Sequence, residues 1–129
     1  MLINQFAPAQ AKLLDMAARD ARHILAARSW CVLRRAALDP LPRLEGYLLS
    51  DIVAMRFGVL METVTQIWPE PFAIHRPCCG LASVDELLLV AAIRVAASGD
   101  RPKFEMLLKE MLPGDARHIF YARAEGLYD

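Results

Sequence analysis

Apolar residues recur along most of the chain at intervals of three and four, the spacing of one face of an α-helix. In the first segment these positions are Leu13, Ala17, Ile24, Cys31 and Leu38. Pro8 stands at its start, where the first turn of a helix tolerates proline. The pattern predicts a long first helix from Pro8 that stops before Asp39, because Pro40 disfavours helical geometry in the preceding residue.

A second periodic segment predicts a helix from Arg43 to Trp68, which Pro69 and Pro71 end. Its apolar positions are Leu44, Leu48, Ile52, Met55, Val59, Leu60, Val64, Ile67 and Trp68. They cover more of the helix than the single stripe that faces one neighbour. We therefore expect this helix to pack on two sides, with one side available to a second copy of the chain.

A third helix is predicted from its start and stop signals. Ser83 and Glu86 have the S-x-x-E spacing of a capping box, which predicts a helix over Val84–Ser98 that Gly99 ends. Since Arg94 is the only charge inside it, this helix is expected to be the most enclosed.

Two shorter helices complete the chain. Asp100 is the predicted N-cap of a helix over Pro102–Leu112, and Asp115 is the predicted N-cap of the last helix. Ile119 and Phe120 are the apolar residues expected to anchor that last helix.

Length and composition predict one folded unit. With 129 residues the chain can bury a core without a metal or a disulfide. The predicted fold class is all-α, a single-domain bundle of about five helices over residues 1–129. The apolar fraction of 56% exceeds the usual value for a soluble domain, so we expect contacts between subunits, most simply in a homodimer.

The sequence favours neither a membrane nor a nucleic acid as partner. The longest uninterrupted apolar run, Leu87–Ile93, is far shorter than the roughly 20 residues of a bilayer span. The N-terminal residues lack the charged start and apolar block of an export signal, so the cytoplasm is the expected location. The net charge is zero, whereas a nucleic-acid-binding chain has a basic surplus.

The candidate functional loop lies in residues 68–86, WPEPFAIHRPCCGLASVDE, the longest stretch without a helical pattern. His75, Arg76, Cys78 and Cys79 stand within it. This run places an imidazole and a guanidinium beside two thiols, and these groups bind metals or carry out thiol chemistry. The simpler interpretation is that both cysteines are small buried residues of a turn.

Zinc favours imidazole and thiolate ligands, which makes His75, Cys78 and Cys79 candidate metal ligands. Adjacent cysteines lack the usual spacing of paired zinc ligands. Closing a tetrahedral site takes a further group, from a second subunit or from Cys31, His23 or Glu70.

Thiol chemistry is the other hypothesis for this loop. Arg76 and the first amides of the helix at Val84 favour a thiolate at Cys78 or Cys79. A nucleophile paired with His75 also needs a residue that orients the imidazole, and the sequence indicates none. The H-E-x-x-H, G-x-S-x-G and glycine-rich phosphate-loop signatures of common enzymes are absent.

The function expected from the sequence is a non-enzymatic binding module that self-associates, has no cofactor and contacts an unidentified protein partner. The alternative is a metal-binding protein with zinc, or a thiol-redox protein, that uses the loop of His75, Cys78 and Cys79.

Other reactive residues have structural interpretations. His23 and His118 are expected in solvent on polar helix faces, and Cys31 is expected in the core. Four arginines flank Trp30, where they either bind a phosphate or carboxylate or form a solvated helix end. They are Arg28, Arg34, Arg35 and Arg43.

The order of features from Phe57 to Leu89 resembles a family of small bacterial helical proteins. The features are a helix containing Leu60-Met61-Glu62, a short basic segment, Pro77-Cys78-Cys79, and a helix that opens with Asp85-Glu86. The resemblance covers about a third of the chain. It implies a small helical domain in a bacterial protein and no assigned activity.

Overall fold

The computed structural model describes residues 11–129, and the predicted all-α fold class is confirmed there. Six α-helices occupy this range: α1 Ala18–Arg35, α2 Leu41–Leu48, α3 Asp51–Ile67, α4 Val84–Ala97, α5 Arg101–Leu108 and α6 Gly114–Glu125. Two 3-10 helices, Leu13–Asp15 and Gly126–Tyr128, flank them. None of the helices in this range is long and apolar enough to cross a bilayer.

The first helix is shorter than its apolar spacing predicts. It begins at Ala18, and Pro8, the predicted start, lies outside the described residues. Lys12 instead forms an isolated antiparallel bridge with Leu81. The segment before α1 thus pairs with the residues that precede α4. Because of this pairing, residues 11–17 do not belong to the predicted α-helix.

The second predicted helix is two helices, α2 and α3, which meet at Leu49 and Ser50. Leu49 adopts the left-handed conformation with φ of 61°, and its amide donates to the Glu45 carbonyl over 2.8 Å. The Ser50 hydroxyl then accepts a hydrogen bond from the Val53 amide and caps α3. Glycine usually marks such a left-handed break, and its absence at this position hid the break from the sequence pattern.

The predicted capping box is confirmed. The Glu86 amide donates to the Ser83 hydroxyl over 3.0 Å, and the Ser83 amide donates to the Glu86 carboxylate over 2.9 Å. Gly99 ends this helix with φ of 75°, as expected. Asp100 caps α5 by accepting a hydrogen bond from the Lys103 amide.

Two predictions for the last helix are wrong. Pro113 rather than Asp115 is the N-cap of α6, and no side chain caps the helix. Phe120 is buried as expected, but Ile119 is partly exposed.

Aromatic side chains join the C-terminal helices to the end of α3. Phe104 contacts Phe120 and Tyr121 edge to face, with ring centroids 5.3 and 5.1 Å apart. Trp68, which caps the end of α3, contacts Phe120 in the same way at 6.2 Å. Such pairs contribute about 0.5–1.5 kcal/mol each beyond the burial of their area. These pairs join α6 to α5 and to the end of α3. Helix α6 also lies against α4, while α1 packs on α2 and α4.

Candidate functional site

The predicted loop joins α3 to α4 and presents one exposed thiol. Its tip is a turn in which the Cys79 amide donates to the Arg76 carbonyl over 2.9 Å. Cys78 and Arg76 are exposed, whereas Cys79 and His75 are half-buried. The interpretation of both cysteines as buried turn residues is therefore wrong for Cys78, and Cys79 is only partly buried.

A fully buried ion pair between α1 and α4 holds this loop. Arg28 donates to both carboxylate oxygens of Glu86, over 2.8 and 2.9 Å, and neither side chain has any exposed surface. Arg28 also donates to the carbonyls of Cys79 and Leu81, each over 2.7 Å. The Glu86 carboxylate in turn accepts a hydrogen bond from the His75 amide over 3.1 Å. Together with the bond from the Ser83 amide to Glu86, the two charges thus fix the backbone of the candidate loop at four points.

The role of Arg28 differs from its predicted one. Rather than facing solvent or an external anion, its guanidinium forms four hydrogen bonds within the chain. Burying a charge is costly unless it is paired and hydrogen-bonded, and these partners meet that condition. Its spacing from Ile24 and Cys31, four residues after one and three before the other, is the sequence signal that places Arg28 on the apolar face of α1.

In the part of the chain that the structure describes, the fold brings together no cluster of side chains that would support the zinc-binding hypothesis. Within residues 11–129, no group of three or more His, Cys, Asp or Glu side chains is arranged to hold a metal ion. Cys31 is buried as expected, and burial raises the pKa of its thiol to about 11. A zinc site at His75, Cys78 and Cys79 therefore stays a prediction.

His23 lies in the interior, so its predicted solvent exposure is wrong. Its side chain is 2% exposed, and its Nε2 shares a hydrogen bond of 2.7 Å with the Tyr128 hydroxyl. Burial, aided by the nearby charges of Arg19 and Arg22, lowers its pKa to about 4. His118 is exposed, as predicted.

Apolar side chains also remain exposed on α3 and α6. The exposed fractions are 52% for Ile52, 57% for Met55, 46% for Val59 and 38% for Ile119. Met55, Val59 and Ile119 line one groove of about 430 Å³, and Ile52 and Met55 line an adjoining one of about 240 Å³. These four residues are termed the apolar face.

Charged residues of both signs border the apolar face. Arg34 and Glu62 form an exposed ion pair of 2.8 Å beside the larger groove, and Arg123 also lines that groove. Glu45 and Asp51 border the smaller one. An apolar centre with a charged rim is the composition of many protein interfaces.

No protein-family model matches this chain, and no curated protein or solved structure shows significant similarity to it. The resemblance to a family of small bacterial proteins accordingly stays a prediction. The functional argument rests on the chain's own surfaces.

Proposed function

We propose that this protein is a non-enzymatic cytoplasmic binding module that self-associates as a homodimer through the apolar face. The observation that carries this proposal is the division of α3 into two apolar sides. Val53, Phe57 and Leu60 fill the core, while Met55 and Val59 on the other side meet solvent. A contiguous exposed patch of large apolar side chains is typical of an interaction surface.

A second copy would remove the exposed parts of these side chains from water. Full burial of a Val, Ile or Met side chain contributes about 1.5–3 kcal/mol, and roughly half of this remains to be gained because the four side chains are 38–57% exposed. In a two-fold dimer each of Ile52, Met55, Val59 and Ile119 is counted twice, once per subunit. For a stable dimer, the burial free energy summed over these side chains has to exceed the cost of lost translational and rotational freedom, about 4–15 kcal/mol.

The charged rim supports a second copy as the occupant. In a two-fold interface each side meets a surface of the same composition. A rim of one sign would therefore repel itself. Here Glu45 and Asp51 supply negative charge. Positive charge comes from Arg123 and from Arg34, which is paired with Glu62. Opposite charges can thus face each other across the two-fold axis.

Replacing Met55 with Asp tests the proposal, because a carboxylate at the centre of a desolvated interface has no partner. Light scattering behind a sizing column should give a dimer mass for the unmodified protein and a monomer mass for Met55→Asp. Met106→Asp is the matched control, since Met106 is an exposed methionine on α5, outside the apolar face.

The control variant should remain a dimer, and far-ultraviolet circular dichroism should be unchanged in both variants. A monomer mass for the unmodified protein at micromolar concentration contradicts the proposal. Equal dissociation by Met55→Asp and Met106→Asp also contradicts it, because the effect would then not be specific to the apolar face.

The exposed thiol of Cys78 supports a second candidate function, thiol-redox or metal-binding activity of the loop with His75 and Cys79. Thiol titration of the native protein separates it from the first. If the loop is purely structural, Cys78 should react with a thiol reagent at the rate of an ordinary exposed cysteine. If the loop carries out thiol chemistry, the rate of labelling at Cys78 should be well above that value. Stoichiometric zinc in protein purified without an affinity tag would favour the metal version.

A further inference from the structure

A separate cavity, of about 370 Å³, lies where the start of α1 meets the end of α4 and Tyr128 of the last 3-10 helix. It shares no lining residue with the apolar face. Its volume falls within the range of small-molecule sites. The cavity is built from ordered elements of the fold, so its shape exists before any ligand arrives.

One wall of this cavity carries a buried polar atom without a partner. His23 lines the cavity, and its Nδ1 has no hydrogen-bond partner among the described residues, whereas its Nε2 is paired with Tyr128. His23 as a whole is only 2% exposed. Native proteins satisfy nearly all such atoms, and an exception among the described residues is explained by a bound water, ion or ligand.

The charges at the cavity favour an anion. Arg19 and Arg94 line it together with Asp20, and Arg94 is paired with Asp20 over 2.7 Å. Since the pKa of His23 is about 4, its ring is neutral at pH 7, and these groups sum to one positive charge. The Arg19 guanidinium lies 4.1 Å from the centre of the Tyr128 ring, at the edge of the cavity.

The amino end of α1 also favours an anion in this cavity. Its N-cap residue, Ala17, lines the cavity and has no side chain able to cap the helix. The first amides of this long helix therefore have no side-chain acceptor. The amino end of a helix carries a partial positive charge that attracts anions.

Ile93, Ala97 and the Tyr128 ring form the apolar part of the wall, and Ser98 also lines the cavity. The geometry points to a binding site for a small organic acid, with one carboxylate held by Arg19, the start of α1 and Nδ1 of His23, and an apolar body against Ile93 and Ala97. Nδ1 donates to this carboxylate in the tautomer whose Nε2 accepts a hydrogen bond from the Tyr128 hydroxyl. This site is independent of self-association through the apolar face.

Octanoate is a suitable probe, and 1-octanol is its neutral counterpart. Isothermal titration calorimetry at pH 7 should detect saturable binding of octanoate, and octanol should bind more weakly. In a long-range nitrogen–proton spectrum, octanoate should shift the imidazole nitrogens of His23. Arg19→Gln should weaken octanoate binding about tenfold, the usual effect of losing a charge-assisted hydrogen bond.

Arg22→Gln is the matched control, because Arg22 is exposed one residue before His23 on α1 and does not line the cavity. It should bind octanoate as the unmodified protein does. Three results would each overturn the proposal: no binding at millimolar octanoate, equal affinity for octanol, or binding that leaves the His23 nitrogens unshifted. Equal weakening by Arg22→Gln would also overturn it, because a general charge effect would then explain the affinity.

Discussion

His23 is a neutral histidine in the interior, and this makes the stability of the fold depend on pH. Its pKa is about 4 in the folded protein and 6.5 in the unfolded chain. As the pH falls below 6.5, the unfolded chain takes up a proton at this ring while the folded protein does not. The free energy of unfolding should therefore fall between pH 6.5 and pH 4, by about 3 kcal/mol from this group.

Urea denaturation at several pH values measures this decrease. His23→Gln, which cannot take up a proton, should have a smaller decrease over the same interval. His118→Gln is the control, and it should keep the slope of the unmodified protein because His118 is exposed. An unchanged slope in His23→Gln would mean that other groups account for the pH dependence.

Two residues occupy a backbone conformation that suits glycine. Ala37 and Leu49 have φ of 58° and 61°. A side chain in this region costs about 1–2 kcal/mol, so Ala37→Gly and Leu49→Gly should each raise the free energy of unfolding by about 1 kcal/mol. Chemical denaturation measures the change. Ala36→Gly, at a neighbouring residue with negative φ, should give no such gain. A loss of stability in Ala37→Gly would contradict the argument that the positive φ of Ala37 carries a cost in free energy.

At the scale of elements, the ion pair of Arg28 on α1 with Glu86 on α4 is the contact that fixes the loop between α3 and α4. Arg28→Met leaves the Glu86 carboxylate buried without its cationic partner, which typically costs about 3–5 kcal/mol. Urea denaturation should detect this loss, and hydrogen exchange at the amides of residues 75–82 should become faster.

Arg34→Met serves as the comparison for the ion pair. The pair of Arg34 with Glu62 is exposed, and such pairs contribute at most about 1 kcal/mol. Equal decreases in the free energy of unfolding for Arg28→Met and Arg34→Met would contradict the role assigned to the buried pair of Arg28 and Glu86. Unchanged hydrogen exchange in the loop of Arg28→Met would show that other contacts hold it.

The sequence predicted elements best where the signal is local. The Ser83 and Glu86 capping box and the Gly99 stop depend on residues close together in the chain, and both were predicted. The break at Leu49 was missed because its left-handed residue is not a glycine. The shorter start of α1 was missed because backbone pairing of Lys12 with Leu81, far apart in sequence, decides it.

The candidate site was predicted only in part, for the same reason. The loop of His75, Cys78 and Cys79 was located from its prolines and its lack of periodicity. The ion pair that holds it joins Arg28 to Glu86, and sequence spacing along one helix does not identify a partner on another. The buried position of His23 likewise depends on Tyr128, at the far end of the chain.

At the scale of the whole molecule, composition indicated surplus apolar surface but not its position. Periodicity marks Met55 and Leu60 alike as apolar positions of one helix. Only the packing of α2 and α6 on α3 separates them, with Leu60 fully buried and Met55 more than half exposed. The apolar face thus follows from tertiary structure, and self-association through it is the central claim.

Nuclear Overhauser effects between two copies of the chain test that claim most directly. A mixture of carbon-13-labelled and unlabelled protein reports only contacts between copies when the spectra are isotope-filtered. We expect contacts between copies from the methyl groups of Ile52, Met55 and Val59, and none from Met106. Contacts between copies at Met106 alone, or none at concentrations where light scattering gives a dimer mass, would contradict the account.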